Sequence, residues 1–180
     1  MNKVWQHFKT ITYHKYLVAK GCFKVGLYRQ GLLHDMSKYS PVEFLVGMKY
    51  YQGNRSPNNA EREEKGYSAA WLHHKGRNKH HYEYWQDYSL AVPGALMPVP
   101  MPDKYFAEMI MDRIAASKVY KGSEYTDSAP LEYYTKSADS KPMHPDTASK
   151  LEFVLKMLAQ KGEEQTFQYV KDTFVKQKSK

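Results

Sequence analysis

Groups that bind metal ions dominate the chemistry this chain can do. His34 and Asp35 are adjacent within Gly31-Leu32-Leu33-His34-Asp35-Met36-Ser37-Lys38, where a hydrophobic lead-in delivers two metal-capable side chains and a lysine follows three residues after the aspartate. Six of the eight histidines fall in the pattern such a pair would need: His14 upstream, His34 itself, then His73-His74 and His80-His81, with Asp112 downstream. Imidazole nitrogens mixed with carboxylate oxygens suit a catalytic transition-metal centre, whereas structural zinc sites recruit thiolates. Cys22 is the only cysteine, so a Cys-rich zinc knuckle and an internal disulfide are both excluded. A His-Asp dipeptide is common, however, and a buried histidine held by its neighbouring carboxylate is the plain structural alternative.

The other candidates are weighed in the same way. Asp112 sits beside an apolar stripe, where a carboxylate must find a cation or hydrogen-bond donors to offset its desolvation; a salt bridge to an arginine would serve equally well. The run His73-His74-Lys75-Gly76-Arg77-Asn78-Lys79-His80-His81 places four imidazoles in nine residues, able to close around a metal or to remain a solvated basic loop. Neighbours on a helix point about 100° apart, so one histidine of each pair is expected as the direct ligand and the other as its support or a substrate-facing group. Lys38 is one turn after Asp35 and would set a point charge on a phosphate oxygen. Arg77, Asn78 and Arg113 are further substrate-binding candidates, the guanidinium groups matching phosphate in two-point contact. Glu108, four residues before Asp112 on the same face, is a candidate orienter or general base. The catalytic set is therefore Asp35, Lys38 and Glu108.

Helices must position these groups. Val4, Phe8, Ile11, Val18, Cys22 and Val25 recur at spacings of three, four and seven, one stripe of a long helix with His7 and His14 on its edge. Two turns, roughly 10 Å, separate those two histidines, so both cannot bind one ion directly. Ser40-Pro41-Val42-Glu43 reads as a capping box opening a helix that carries Phe44, Leu45, Met48 and Tyr51. Gly53 to Asn59 reads as a loop, with helix resuming near Gly66 and carrying Tyr67, Ala70, Trp71 and His74 on one face. Gly76 is expected to interrupt it, and a short helix is expected from His80 through Tyr88. Pro93 to Pro102 is an irregular connection. A helix from about Asp103 to Tyr120 follows, burying Phe106, Met109, Ile110 and Ile114, with Asp112 on the flank of that stripe. Gly122 to Asp146 is polar and tyrosine-rich, with no expected structure. Two closing helices, one with Leu151, Val154, Leu155 and Leu158 and the other with Phe167, Val170 and Phe174, are broken at Gly162. No strand is expected. The fold class is all-α, a single-domain helical bundle over residues 1–160, with residues 161–180 an amphipathic helix and basic tail of the same domain or appended to it.

Composition narrows the class. With 180 residues, 42% hydrophobic, 14% aromatic and 16 tyrosines, the chain is long and apolar enough to bury one core without disulfides. Lys3, His7, Lys9 and His14 interrupt the N-terminal apolar residues, unlike the core of a signal peptide. The longest uncharged run, Tyr88 to Pro102, contains four prolines and cannot form a membrane helix. A cytoplasmic protein with no membrane contact is expected. The net charge of +8 favours an anionic partner without choosing between nucleotide and nucleic acid, and part of it sits in the tail at Lys171, Lys176, Lys178 and Lys180.

The order His14, His34-Asp35, Asp112 resembles the HD superfamily of metal-dependent phosphohydrolases, and the intervening histidines resemble its two-metal members. More closely, the stretches Leu32 to Phe44, Trp71 to His81 and Met101 to Asp112 look like DUF5662, a bacterial and phage family of unknown function. The superfamily resemblance implies an all-α fold, one or two divalent ions (manganese, iron, zinc, cobalt or nickel) and hydrolysis of a phosphate ester. On that reading His14, His34, Asp35 and Asp112 hold the first metal, and one or more of His73, His74, His80 and His81 hold a second or enclose the substrate. A small anionic phosphate compound, a nucleotide or cyclic nucleotide, is the expected substrate, with tyrosines available to stack on a base. The alternatives are a protein that sequesters such a nucleotide without turning it over and a basic helical protein that binds nucleic acid.

Overall fold

A computed structural model describes residues 2–136 and 142–176. The long first helix, α1 (Lys3–Val25), forms as the periodicity predicts, capped by the Asn2 side chain and ended by Gly26 in the left-handed region. Ile11, Val18, Cys22 and Val25 are buried on it, but Val4 and Phe8 are exposed, Phe8 meeting the rings of Trp5 and Tyr39 at the surface. A short α2 (Tyr28–Leu33), a 3-10 turn (Met36–Tyr39) and α3 (Pro41–Tyr50) follow. Helix α3 buries Glu43, Gly47 and Tyr50, while Leu45 is exposed. Gly47 is what fits there: a Cβ would stand 2.2 Å from His7 Nε2 on α1.

Three expectations along the next stretch are corrected. Residues read as loop begin a helix, α4 (Pro57–Lys65), and Gly66 ends it in the left-handed region instead of starting another. Gly76 lies inside α5 (Ala69–Arg77) without interrupting it, a single helical glycine costing only about 1 kcal/mol relative to alanine. The segment after His80 is no helix: a 3-10 turn (Tyr82–Tyr84) leads to β1 (Gln86–Tyr88), which pairs antiparallel with β2 (Leu96–Pro98). That hairpin is the small exception to the all-α class among the described residues.

The core is built by α6 (Asp103–Lys121) and α8 (Pro145–Val170) against α1. Phe106, Ile110, Met111, Leu151, Leu155 and Leu158 are its largest fully buried side chains. Each such burial is worth about 1.5–3 kcal/mol by apolar area. A helix the composition did not predict, α7 (Ala129–Thr135), lies in the tyrosine-rich stretch, of which residues 137–141 lie outside the described residues. Gly162 breaks α8 as expected, with φ 77° and ψ 176°. Phe167, Val170 and Phe174 join the same core, so the chain's last helical segment is part of this one unit. Of the tail lysines, Lys176 pairs with Asp172, whereas Lys178 and Lys180 lie outside the described residues. No helix among the described residues is long and apolar enough to cross a membrane.

Candidate metal centre

Asp35 is the one non-glycine residue with positive φ, at 52°, among the described residues. That conformation is uncommon for a residue with a Cβ, though aspartate tolerates it better than most. Its effect is geometric. Helix α2 ends at His34, and the left-handed turn swings the next side chain inward, so two adjacent residues aim at one interior point. Lys15 of α1 holds the turn from outside by donating to the carbonyls of Leu32 (2.6 Å) and His34 (2.9 Å).

The two carboxylate oxygens of Asp35 face two different groups. Oδ2 lies 3.3 Å from His34 Nε2 and 3.7 Å from His14 Nε2; Asp112 Oδ1 completes this group at 2.9 Å from His14 and 3.6 Å from His34. Oδ1 lies 3.3 Å from His74 Nε2 and 3.4 Å from His80 Nε2, with His81 Nε2 2.9 Å from His74 Nε2. In each group the four ligand atoms lie within 4.8 Å of one another. Asp35 belongs to both.

Behind the ligand atoms stand two buried glutamates. Glu108 Oε1 accepts from Nδ1 of His34 at 2.9 Å and lies 3.1 Å from Nδ1 of His80, so one carboxylate turns a histidine of each group inward. Glu43 accepts from His74 Nδ1 at 2.7 Å and from His73 Nδ1 at 2.6 Å. Carboxylates in this position fix the tautomer and ring orientation of metal-ligating histidines. The capping box expected at Ser40 and Glu43 does not form, because Glu43 is spent on these rings and the Ser40 side chain makes no cap bond. Glu108 acts here as an orienter; the general-base alternative finds it engaged with imidazoles.

The donor set fits divalent cations. Five buried polar atoms that converge here make no well-formed hydrogen bond, Nε2 of His14, His34 and His80 and both oxygens of Asp35, although Lys38 Nζ lies 2.6 Å from Asp35 Oδ2 and His14 Nε2 lies 2.9 Å from Asp112 Oδ1. Buried polar atoms nearly always form good hydrogen bonds, and an interior convergence of complementary ligand atoms that lacks them is one a bound cation would complete. Burial opposes ionisation of Asp35, yet His34 and Lys38 hold its carboxyl well below the usual range. Asp112 is likewise held well below it, against burial, by His14 and His34. Burial lowers His14, reinforced by Lys38, and lowers His81 strongly, reinforced by His80 and His74. Burial would lower His34 and His74 as well, but Asp35 and the other carboxylates prevail and raise both. Metal ions take ionised carboxylate and neutral imidazole. The directions favour that form for Asp35, Asp112, His14 and His81 and oppose it for His34 and His74.

The remaining sequence candidates divide. Lys38 reaches the centre, its Nζ 2.6 Å from Asp35 Oδ2, and burial is overcome there by Asp35, which raises the ammonium above the ordinary lysine range. With His74 it lines a cleft of about 70 Å³ that also contains His7, Tyr51, Arg55 and Tyr120. His73 is in neither group of ligand atoms and braces Glu43 from outside. Arg77 is exposed at the end of α5 and donates to the His73 carbonyl, 3.4 Å away. Asn78 is structural: its amide donates to Ser37 Oγ and to the His74 carbonyl, each at 2.8 Å, tying α5 to the turn after Asp35. Arg113 forms no ion pair with Glu108 or Asp112 among the described residues, and its Nε is buried without a hydrogen bond. Glu43, Lys15 and Ser37 are not recognisable as site residues from the sequence, because their partners lie 17 to 41 residues away.

Fold and site together define an all-α protein organised around a buried constellation of histidines and aspartates. The chain belongs to a family of unknown function, DUF5662, whose model matches residues 3–157, a span containing every residue of the constellation. Comparison with curated proteins and with solved structures gives no match.

Proposed function

We propose that this protein is a cytoplasmic, HD-type metal-dependent phosphohydrolase that cleaves a phosphate ester, with nucleotides or cyclic nucleotides as the substrate class. One observation carries the reading: the two oxygens of Asp35 face separate groups of ligand atoms, the arrangement a bridging carboxylate of a two-ion centre needs. Divalent ions bound there would supply a hydroxide near neutral pH and polarise the phosphoryl oxygen. His14, His34 and Asp112 would complete one site, and His74, His80 and His81 the other. Glu108 and Glu43 keep the imidazole Nε2 atoms turned inward. Lys38 is placed at the junction of centre and cleft, where its ammonium can neutralise charge on a bound phosphate group. Tyr51 and Tyr120 give the cleft aromatic walls.

The test is metal analysis of the purified chain, followed by a screen of phosphomonoesters and phosphodiesters with manganese added. Hydrolysis that chelation abolishes, and that Asp35→Ala also abolishes, is the expected result. Stoichiometric metal without turnover of any ester would reassign the centre to sequestration.

A further inference from the structure

The outer face of α1 has no role in the centre, although its inner face carries His14. Trp5, Lys9, Tyr13, Tyr16, Lys20 and Phe23 all point within about 40° of the direction opposite the buried Val18, at 100° per residue. Trp5 is 51% exposed, Tyr13 53% and Tyr16 59%, and Tyr28 just beyond the helix is 64% exposed. Large aromatic groups left this open gain little as core and are available as contact surface. Tyr13 and Tyr16 lie nearly parallel, with ring centroids 6.5 Å apart, and Lys9 Nζ sits 5.2 Å over the Trp5 ring. The band from Trp5 to Phe23 is about 27 Å long at the helical rise.

Charge singles out the partner. The chain has no acidic residue before Asp35, while Lys3, Lys9, Lys15, Lys20, Lys24 and Arg29 all precede it. Lys15 is tied to backbone carbonyls; Lys9, Lys20 and Lys24 stand on or beside the exposed band. At the C-terminal half of α1, Lys20, Lys24 and Lys118 ring a hollow of about 80 Å³. Lys118 there is paired with Glu163, and Lys24 lies over the Phe167 ring at 5.5 Å. A second copy of this chain would bring like charge against like. An amphipathic membrane-surface helix keeps its aromatic residues and its lysines on opposite faces, whereas here Lys9 and Lys20 stand within the aromatic band itself. Aromatic faces interleaved with cations along a line are the pattern that stacks bases and tracks a phosphate backbone.

We propose that the outer face of α1 binds single-stranded nucleic acid, with bases stacked on Trp5, Tyr13, Tyr16 and Phe23 and phosphates held by Lys9, Lys20 and Lys24. The assignment does not rest on the phosphohydrolase reading, since the face is turned away from the side of α1 that carries His14.

Fluorescence anisotropy of a labelled oligothymidine of about 20 nucleotides tests it, starting from about 50 mM salt. The intact chain should bind that strand more tightly than a duplex of equal length, with and without chelator. Tyr13→Ala with Tyr16→Ala should weaken binding by roughly 5- to 150-fold for each stacked base lost. Lys9→Ala, Lys20→Ala and Lys24→Ala together should flatten the slope of log affinity against log salt by about 2. All are surface changes, so circular dichroism should match wild type. The proposal is overturned by failure to bind the oligonucleotide, by equal affinity for duplex, or by variants that bind like wild type. Loss of binding on chelation would place the contact at the metal centre instead and overturn it too. Binding to phosphatidylserine vesicles, or a dimer that the variants dissociate, overturns it when the oligonucleotide is not bound.

Discussion

Replacing Glu108 by alanine is the sharpest probe of how the centre is held. Its carboxylate supports Nδ1 of His34 at 2.9 Å and Nδ1 of His80 at 3.1 Å, and those rings belong to different ligand groups. Glu108→Ala leaves two buried imidazole N–H groups short of an acceptor, at about 1–3 kcal/mol each. Removing a carboxylate that orients a metal-bound histidine lowers metal affinity about 10- to 100-fold, or about 1.4 to 2.8 kcal/mol. Because Glu108 serves both groups, both binding steps should weaken by that amount. Glu43 gives the matching control, since of the ligand histidines it supports only His74. Glu43→Ala should weaken one step and leave the other within a few-fold of wild type. Isothermal titration of manganese into chelator-stripped protein resolves the two steps. If Glu108→Ala leaves both affinities unchanged, or if Glu43→Ala lowers both equally, the orienting roles assigned to these glutamates are wrong.

Other consequences are simpler to measure. Gly47→Ala drives a methyl group into the space of His7 Nε2, 2.2 Å from the new carbon, and should destabilise the fold by about 1–3 kcal/mol. At about 2–4 °C per kcal/mol for a domain this size, a thermal melt reads it directly. His7 itself is lowered from 6.5 to about 4, by burial and then by Lys38. Between those pH values the unfolded chain binds the extra proton, so stability is full above pH 6.5 and falls as the pH drops toward 4. The loss is about 3 kcal/mol, and denaturant titrations of wild type and His7→Gln at both ends of that window should diverge accordingly. Lys38→Ala should keep its bound metal and lose about 100-fold or more in turnover of the best ester found, seen as kcat at saturating substrate.

Much of the centre was legible because it follows periodicity. His14 and Asp112 flank apolar stripes of long helices, and a stripe fixes which way its edges face. That His34 and Asp35 point inward followed from the hydrophobic lead-in before them and the helix start after them, but the left-handed turn at Asp35 that brings the two together did not. Which histidines join the centre was hidden too: both His80 and His81 enter the second group where one per pair was expected, and Glu43 accepts from both His73 and His74, 30 and 31 residues away, though only His74 is among the ligand atoms. Its position three residues after Ser40 made it look like half of a cap. Helix α4 escaped because it buries only Ala60 and Glu61 and so has no apolar stripe to read. The hairpin escaped for a similar reason, its strands being three residues each and largely exposed. Val4 and Phe8 were misplaced because periodicity marks a face without saying what covers it.

A pair of ions held on either side of Asp35 would show in the metal content per chain, read by plasma mass spectrometry after loading with manganese and desalting. Wild type should retain two ions per chain, Asp112→Ala should lose the one it shares with His14, and Asp35→Ala should lose both. An Asp35→Ala chain that folds normally and retains as much metal as wild type would show that Asp35 holds no ion.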